Sequence, residues 1–330
     1  MKRRIIMHVG FDKVGSSSIQ TYLSNNKLIS SKNKYVYGII NSNGDVLTDN
    51  LEEKAKKDPL GYLSSYPNVF ESVDFALLKR KLDKLFEQNI IPIFSCEGWA
   101  RNAEKFKSSS FFQKLNVEVT VVFYIRPQVD WLNSAWWQWF HWHNNFNSPQ
   151  DYFNKLGRNS ADWNKYIDEW ATLPNTQSIE VRLQHQDNVE DFLSIFDIQA
   201  SIDGLKQSRS NTSLAPELIK LLSQYPEYRG LHDSHVDWKL AKIFNFKGKT
   251  PWVIDEALCE EIIKNYNESN LILMNKLSPI HRDIMIKDSR WWSKAGYSEK
   301  RALNLKEMRL SESEKDKIIQ QMLDYLLNNI

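Results

Sequence analysis

Five short segments of the chain have the composition of buried β-strands, because β-branched, aromatic and other apolar residues follow one another between turn-forming residues. The clearest of them has the sequence VEVTVVFYI. Most of the intervening segments place apolar residues at helical spacing, and strands that alternate with helices form a parallel sheet with helices on both faces. We therefore predict a three-layer α/β fold whose central, mostly parallel sheet has the strands 4–9, 35–40, 90–95, 117–125 and 179–183.

The remaining segments are predicted to be helical or irregular parts of one domain that covers residues 1–330. Residues 41–71 are polar and without a regular pattern, which indicates an insertion that is either a lid or a surface loop. Residues 213–330 form a helical C-terminal extension packed on the core. Outside the sheet region, the pattern predicts helices at about 72–88, 213–224, 254–276 and 311–328.

Composition and charge narrow the class of protein. The chain has 330 residues, 42% hydrophobic and 25% charged, which is typical of a globular protein. A formal net charge of +2 gives no indication of nucleic-acid binding. No segment approaches the roughly 18 apolar residues of a membrane-spanning helix, and the apolar stretch after the basic first residues is too short for a signal peptide. The two cysteines, Cys96 and Cys259, do not make a disulfide framework. We therefore expect a cytoplasmic protein.

Directly after the first predicted strand, the chain has a glycine-containing loop that leads into a helix. The loop contains Gly10, Lys13 and Gly15, and the helix begins with Ser16, Ser17 and Ser18. A strand–loop–helix unit directs backbone N–H groups and the positive end of a helix dipole at one point, which suits phosphate or sulfate. Gly15 lets a ligand oxygen approach the main chain, and Lys13 adds a full positive charge. The loop is therefore predicted to bind an oxyanion.

This loop differs from the phosphate loop of nucleotide triphosphatases. Gly10 and Gly15 have the spacing of that motif, but Ser16 stands where the motif requires lysine. The lysine lies inside the loop instead, at position 13, so its charge is beside the loop apex rather than on the first helical turn. An ordinary Gly/Ser turn before a helix is the alternative interpretation.

A second candidate anion site follows the fourth predicted strand. That strand ends at Arg126, and Ser134 follows eight residues later in a predicted helix. An arginine can bind a phosphate through two parallel hydrogen bonds. The carboxyl ends of parallel strands meet at one edge of a sheet, so Gly10, Glu97 and Arg126 are expected to converge there.

Both elements resemble those of sulfotransferases that use 3′-phosphoadenosine-5′-phosphosulfate (PAPS). The order Lys-x-Gly-Ser-Ser-Ser is similar to their loop for the 5′-phosphosulfate, and Arg126 with Ser134 has the spacing of their 3′-phosphate site. The likeness is greatest to bacterial members and covers most of the chain up to residue 277. Two further matching elements are Ser-Cys-Glu at 95–97, where cysteine replaces a common serine, and RSNTSL at 209–214. The Arg-Lys-Gly element with which animal cytosolic members cap the 3′-phosphate is not visible.

The resemblance implies a P-loop-like fold and in-line transfer of a sulfuryl group from PAPS to a hydroxyl or amine, with 3′-phosphoadenosine 5′-phosphate (PAP) as the second product. It also implies that Gly15–Ser18 bind the 5′-phosphate and that Arg126 and Ser134 bind the 3′-phosphate. Lys13 would neutralise the charge that develops on the bridging oxygen. The leaving group is a stabilised phosphate, so we expect no metal requirement; the sequence has no His/Cys/Asp cluster with ligand spacing.

An acceptor hydroxyl needs a general base. We place Glu97 first, because it follows a buried strand and should face the cleft; an ion-pair partner of Lys13 is the alternative role. His8, His141 and His143 are alternatives by residue type. The sequence indicates that His8 is a core residue and that the other two lie on the surface of an aromatic-rich helix.

That helix, at 131–146, has an unusual number of aromatic residues. One apolar face explains part of the excess, but aromatic residues occupy other faces as well. Rings beside an active-site cleft can stack on sugars, and a partner interface would explain the excess equally well. We expect a glycan or glycolipid acceptor in contact with Trp136, Trp137, Trp139 or Trp142.

Two functions of other classes stay open. A P-loop kinase or nucleotide hydrolase would need a lysine on the first helical turn and an acidic residue for magnesium. A non-catalytic nucleotide- or glycan-binding protein would use the same scaffold without the chemistry.

Overall fold

All five predicted strands are present in one sheet. Within the residues that the structure describes, this sheet has six strands. The computed structural model describes residues 3–142, 145–185, 187–208, 215–230, 235–244, 249–305 and 308–328. Five strands are parallel, and the short β3 pairs antiparallel with β2. The predicted α/β class is confirmed; β3 was not predicted. The strands are β1 (Arg4–His8), β2 (Lys34–Ile40), β3 (Val46–Leu47), β4 (Ile90–Ser95), β5 (Glu118–Ile125) and β6 (Thr176–Leu183).

The strand order across the sheet is β3-β2-β4-β1-β5-β6. In β1, Ile5, Ile6 and Met7 are at most 1% exposed, as expected for a strand that is covered on both faces. The chain leaves β1 towards β2 and leaves β5 towards β6, in opposite directions along the sheet. The carboxyl ends of β1 and β5 therefore form a topological switch point, where ligands bind in open α/β sheets.

The helices agree with the predicted pattern in most places. The predicted helix at 72–88 is observed at Phe75–Glu87, where the Asp74 side chain caps its start by accepting hydrogen bonds from two backbone N–H groups. In chain order the helices are α1 (Ser16–Asn25), α2 (Leu51–Lys57), α3 (Val69–Ser72), α4 (Phe75–Glu87), α5 (Ala103–Ser108), α6 (Phe111–Leu115), α7 (Gln128–Gln138), α8 (Pro149–Tyr152), α9 (Arg158–Ser160), α10 (Trp163–Ala171), α11 (Asn188–Ile195), α12 (Ile202–Ser208), α13 (Pro216–Gln224), α14 (His235–Phe244), α15 (Glu256–Leu273), α16 (Pro279–Lys287) and α17 (Glu312–Asn328).

The described chain divides into two compact units. Unit 1 comprises Met1–Arg126, Asp162–Asn211 and Glu268–Lys287, and it contains the whole sheet. Unit 2 comprises Pro127–Ala161, Thr212–Asn267 and Asp288–Ile330, and its described elements are helical. Within unit 2, part of the core is formed by Ala215, Leu218, Phe244, Leu310 and Ile318.

Residues 41–71 have more regular structure than their sequence indicated. They include β3, α2 and α3, and a segment at 58–67 that crosses the carboxyl ends of β2 and β4. The Ser65 N–H donates to the Ser95 carbonyl (2.9 Å), and the Tyr66 N–H donates to the Ile40 carbonyl (2.8 Å). These main-chain bonds tie the segment to the sheet.

The aromatic-rich tract forms a shorter helix than predicted. The predicted helix continued to residue 146, but α7 ends at Gln138, and Phe140–Trp142 form a separate 3-10 turn. His143 and the RSNTSL element at 209–214 lie outside the described residues. Among the residues that are described, no helix is long and apolar enough to cross a membrane.

Candidate functional site

The glycine-containing loop joins β1 to α1 at the switch point of the sheet. Phe11 and Val14 are fully buried and anchor the loop, while Asp12 and Lys13 between them remain partly exposed. Lys13 has a φ of 62° and Gly15 a φ of 90°, so the chain passes through the left-handed region twice before α1 begins. This conformation gives the loop its tight turn and leaves the Lys13 side chain accessible.

The three serines at the start of α1 have different environments. Ser16 is buried, and its hydroxyl donates to the Phe11 carbonyl (3.3 Å), so it holds the loop. Ser17 Oγ lies 3.5 Å from both Tyr62 Oη and Glu97 Oε1. The Ser18 N–H donates to the Gly15 carbonyl (3.2 Å), and Ser18 also lines a cavity described below. The Ser17 hydroxyl is therefore within 3.5 Å of the predicted base.

Two glycines are required by close packing. A Cβ at Gly10 would lie 2.6 Å from Ser16 Oγ and 2.8 Å from His8 Nε2. A Cβ at Gly15 would lie 2.2 Å from Asn188 Nδ2, in addition to the strain of the left-handed backbone. A side chain at either position would therefore force its neighbours to shift.

Arg126 lies against the loop, as the position of both elements at strand ends predicts. Its Nη1 donates to the Lys13 carbonyl at 2.9 Å, and its own carbonyl accepts a hydrogen bond from Trp163 Nε1 at 2.8 Å. Ser134 belongs to unit 2, where its hydroxyl donates to the Asp130 carbonyl of α7 (3.0 Å). The structure thus brings Lys13, Gly15 and Arg126 together in unit 1.

Asn188 is a residue of this site that the sequence analysis missed. It is buried at the start of α11, and its Nδ2 donates to the Val14 carbonyl (2.9 Å). Its Oδ1 accepts from the His185 N–H (2.8 Å), so one side chain connects the loop to the segment after β6. An asparagine at a helix start is commonly a cap, and the local sequence carries no sign of this long-range contact.

A cavity of about 310 Å³ adjoins the loop in unit 1. Gly15 and Ser18 form one side, and the segment after β6 and the start of α11 form another. Its described lining residues are Gly15, Ser18, Gln184, His185, Asp187, Asn188, Val189, Glu190, Leu205 and Ser208.

Glu97 follows β4 and faces the loop, as the sequence analysis expected. Burial, and then the nearby Asp12 carboxylate, raise the pKa of Glu97 to about 8, although the charge of Lys13 opposes both effects. Asp12 itself pairs with Arg101, whose Nη1 lies 3.1 Å from Asp12 Oδ2. A carboxyl group with this pKa exchanges its proton near neutral pH, which suits proton transfer.

Tyr62 also belongs to this group of side chains, although no motif or spacing in the sequence points to it. Burial, and then the negative charge of Glu97, raise the pKa of its hydroxyl to about 12. The hydroxyl therefore keeps its proton and can donate it in a hydrogen bond. Tyr62 reaches the site because the 58–67 segment crosses the ends of β2 and β4.

His8 is a buried core residue, as predicted. Its Nδ1 lies 2.9 Å from Ser95 Oγ, which also accepts a hydrogen bond from Gln20 Nε2 (3.0 Å). Burial lowers the pKa of His8 to about 3, so the ring is neutral at physiological pH. His8 therefore packs in the core next to the loop and does not exchange protons at the site.

The tryptophans proposed as acceptor contacts lie in unit 2, and two of them are unsuited to that role. Trp136 and Trp137 are 2% and 3% exposed, because they pack inside the unit. Trp139 and Trp142 are partly exposed, and the Trp142 Nε1 donates to the Trp137 carbonyl (2.7 Å). His141 is half-buried rather than on the surface; burial lowers its pKa to about 4, and its Nε2 lies 2.8 Å from Ser223 Oγ.

Comparison with known proteins found no family model, no curated protein and no solved structure that matches the chain. Across the described residues, no group of three or more His, Cys, Asp or Glu side chains is arranged to hold a metal ion.

We predict that Gly15→Ala destabilises the protein by about 2–3 kcal/mol, from the left-handed backbone and the loss of the Asn188–Val14 hydrogen bond. Gly61→Ala is the matched control: Gly61 has a φ of 74° and no atom within 4 Å of an added Cβ. It should lose only about 1–2 kcal/mol. Chemical denaturation measures both unfolding free energies. Equal losses would show that the contact between the loop and Asn188 does not contribute to stability.

Proposed function

We propose that the protein is a PAPS-dependent sulfotransferase with a P-loop-like architecture. The observation that supports the proposal is the hydrogen bond between Arg126 Nη1 and the Lys13 carbonyl (2.9 Å), because an arginine fork beside a glycine-containing loop at a helix start suits an anionic ligand. The two elements follow neighbouring strands at the switch point of the sheet. PAPS has an anionic group at each of two positions on one nucleoside, so it requires two anion-binding elements close together.

The residues of the loop fit such a donor. A side chain at Gly10 would meet Ser16 and His8, and one at Gly15 would meet Asn188, so both glycines allow the packing that holds the loop in its shape. Gly15 and the first turn of α1 would bind the 5′-phosphate through main-chain N–H groups and the Ser17 hydroxyl. Arg126 would bind the 3′-phosphate.

When bound, PAPS supplies an activated sulfuryl group. The acceptor oxygen forms a bond to sulfur while the bond from sulfur to the 5′-phosphate oxygen breaks, and the bonding electrons leave with PAP. Lys13 neutralises the charge that develops on that oxygen. Glu97 takes the proton of the acceptor hydroxyl, so a sulfate ester and PAP are the products. A pKa of about 8 leaves a fraction of Glu97 ionised at pH 7.

One observation favours a second function, a magnesium-dependent nucleotide hydrolase or kinase. Ser17 Oγ and Glu97 Oε1 lie 3.5 Å apart, and a hydroxyl with a carboxylate near a phosphate loop can hold magnesium. Against it, Ser16 stands at the lysine position of that motif and is buried.

Isothermal titration calorimetry distinguishes the two functions. PAP and adenosine 5′-monophosphate differ only in the 3′-phosphate, so we expect PAP to bind roughly tenfold or more tightly. Arg126→Gln should remove most of that difference. Lys105→Gln is the control, since Lys105 is exposed and pairs with Glu71. Tight binding of ATP with magnesium, together with no preference for PAP, would contradict the sulfotransferase proposal.

A further inference from the structure

A second cleft in unit 1 has a volume of about 680 Å³, within the range of roughly 300–1,000 Å³ for small-molecule sites. One wall is the turn between β2 and β3, and the other is the segment that crosses the ends of β2 and β4. Its lining consists of residues 40–43, 58, 60 and 62–67.

The second wall is held in place by hydrogen bonds. Besides the main-chain bonds of Ser65 and Tyr66 described above, Trp99 Nε1 donates to the Tyr66 carbonyl (3.2 Å) and Ser64 Oγ donates to the Ser95 carbonyl (3.2 Å). Tyr37 Oη donates to the Leu63 carbonyl (2.7 Å). A cleft with fixed walls loses little conformational entropy when a ligand binds.

The chemistry of the lining selects for a particular ligand. The side chains of Asn41, Ser42 and Tyr66 make no hydrogen bond to any part of the chain that the structure describes, so their polar groups are available to a ligand. The lining contains no lysine or arginine, and its one acidic side chain, Asp58, accepts from the Leu60 N–H (2.9 Å). Amide and hydroxyl groups beside tyrosine rings suit a ligand that has many hydroxyl groups and no negative charge.

Tyr62 connects this cleft to the reaction centre. It lines the cleft, and its hydroxyl lies 3.5 Å from Ser17 Oγ, which is equally close to Glu97. We propose that the cleft binds the acceptor and that the acceptor is a neutral carbohydrate, whose hydroxyl extends past Tyr62 towards Glu97. This inference rests on the proposed sulfotransferase function, and it moves the acceptor site from the tryptophan tract to residues 40–67.

The test measures sulfuryl transfer from labelled PAPS to three kinds of acceptor. These are neutral disaccharides (lactose, cellobiose and N,N′-diacetylchitobiose), a uronate-containing oligosaccharide, and 2-naphthol. We expect transfer to at least one neutral disaccharide and little to the other two kinds. Asn41→Ala and Tyr66→Phe should each raise the KM for that sugar by roughly fivefold to tenfold, the loss of one hydrogen bond, with the KM for PAPS unchanged.

Asn33→Ala is the matched control, because Asn33 is exposed before β2 and, among the described residues, its side chain donates only to Tyr35 Oη (3.1 Å). It should leave both KM values unchanged. Preferred transfer to the uronate or to naphthol, transfer to no neutral sugar, or an unchanged sugar KM in both variants would overturn the cleft proposal. If PAP binds in calorimetry in those cases, only the acceptor assignment fails; if PAP does not bind, the sulfotransferase proposal fails as well.

Discussion

Lys13→Met should lower kcat for sulfuryl transfer by on the order of 10²–10³-fold, the usual cost of removing one group that stabilises charge in a transition state. Methionine keeps the length of the side chain and removes its charge. The backbone carbonyl of Lys13, which accepts from Arg126, is not changed by the substitution. We therefore expect the Kd for PAP to rise much less than kcat falls.

A second readout distinguishes a chemical role of Lys13 from a structural one. The charge of Lys13 lowers the pKa of Glu97, so its removal should move the pH profile of kcat to higher pH. Lys56→Met is the matched control, because Lys56 is exposed on α2 and pairs with Glu52 of the same helix. A kcat within threefold of the wild type would contradict the assignment of Lys13, and an unshifted profile would contradict its proximity to Glu97.

Glu97→Gln should abolish most of the transfer activity, because an amide cannot accept the acceptor proton; loss of a general base typically costs about 10²–10⁴-fold. In the proposed mechanism the active form of the wild type is the ionised carboxylate, so kcat should rise with pH and level off above about 8, the raised pKa of Glu97. The variant should lose this rise. Kinetics between pH 6 and pH 10 test both expectations.

Asp12→Asn tests why the pKa of Glu97 is raised. The Asp12 carboxylate raises that pKa through its negative charge and through a hydrogen bond with Glu97. Removing the charge should therefore lower the pKa and move the midpoint of the profile towards neutral pH. A midpoint that stays near 8 in Asp12→Asn, or a pH-dependent rise that persists in Glu97→Gln, would show that another group controls the profile.

The parts of the fold that could be predicted depend on local pattern. β5 is long and rich in β-branched residues, so its position is evident from sequence alone. β3 has only two residues and forms because a turn at Gly44 returns the chain to β2. No composition signal distinguishes such a short strand from a loop. Likewise, α7 ends at Gln138 although the aromatic residues continue, and no glycine or proline in residues 139–146 marks that end in the sequence.

For the candidate site, the sequence predicted which strand ends would lie close together. It did not predict which side chains from other segments would join them. Lys13, Glu97 and Arg126 each follow a recognisable strand, so their convergence follows from the topology of a parallel sheet. Asn188 and Tyr62 arrive through long-range contacts that local sequence does not encode. The raised pKa of Glu97 also depends on burial, which exists only in the folded chain.

The left-handed conformation of Lys13 has a consequence for how a donor would be recognised. A residue other than glycine adopts a positive φ only where its surroundings stabilise it, and this backbone conformation costs about 1–3 kcal/mol. Here the carbonyl of the same residue is held by Arg126, and Asn188 holds the next one. The strain energy of the loop backbone is thus offset by contacts that form during folding, before any nucleotide binds. The loop would then be preorganised for the phosphosulfate end of the donor and would change conformation little on binding.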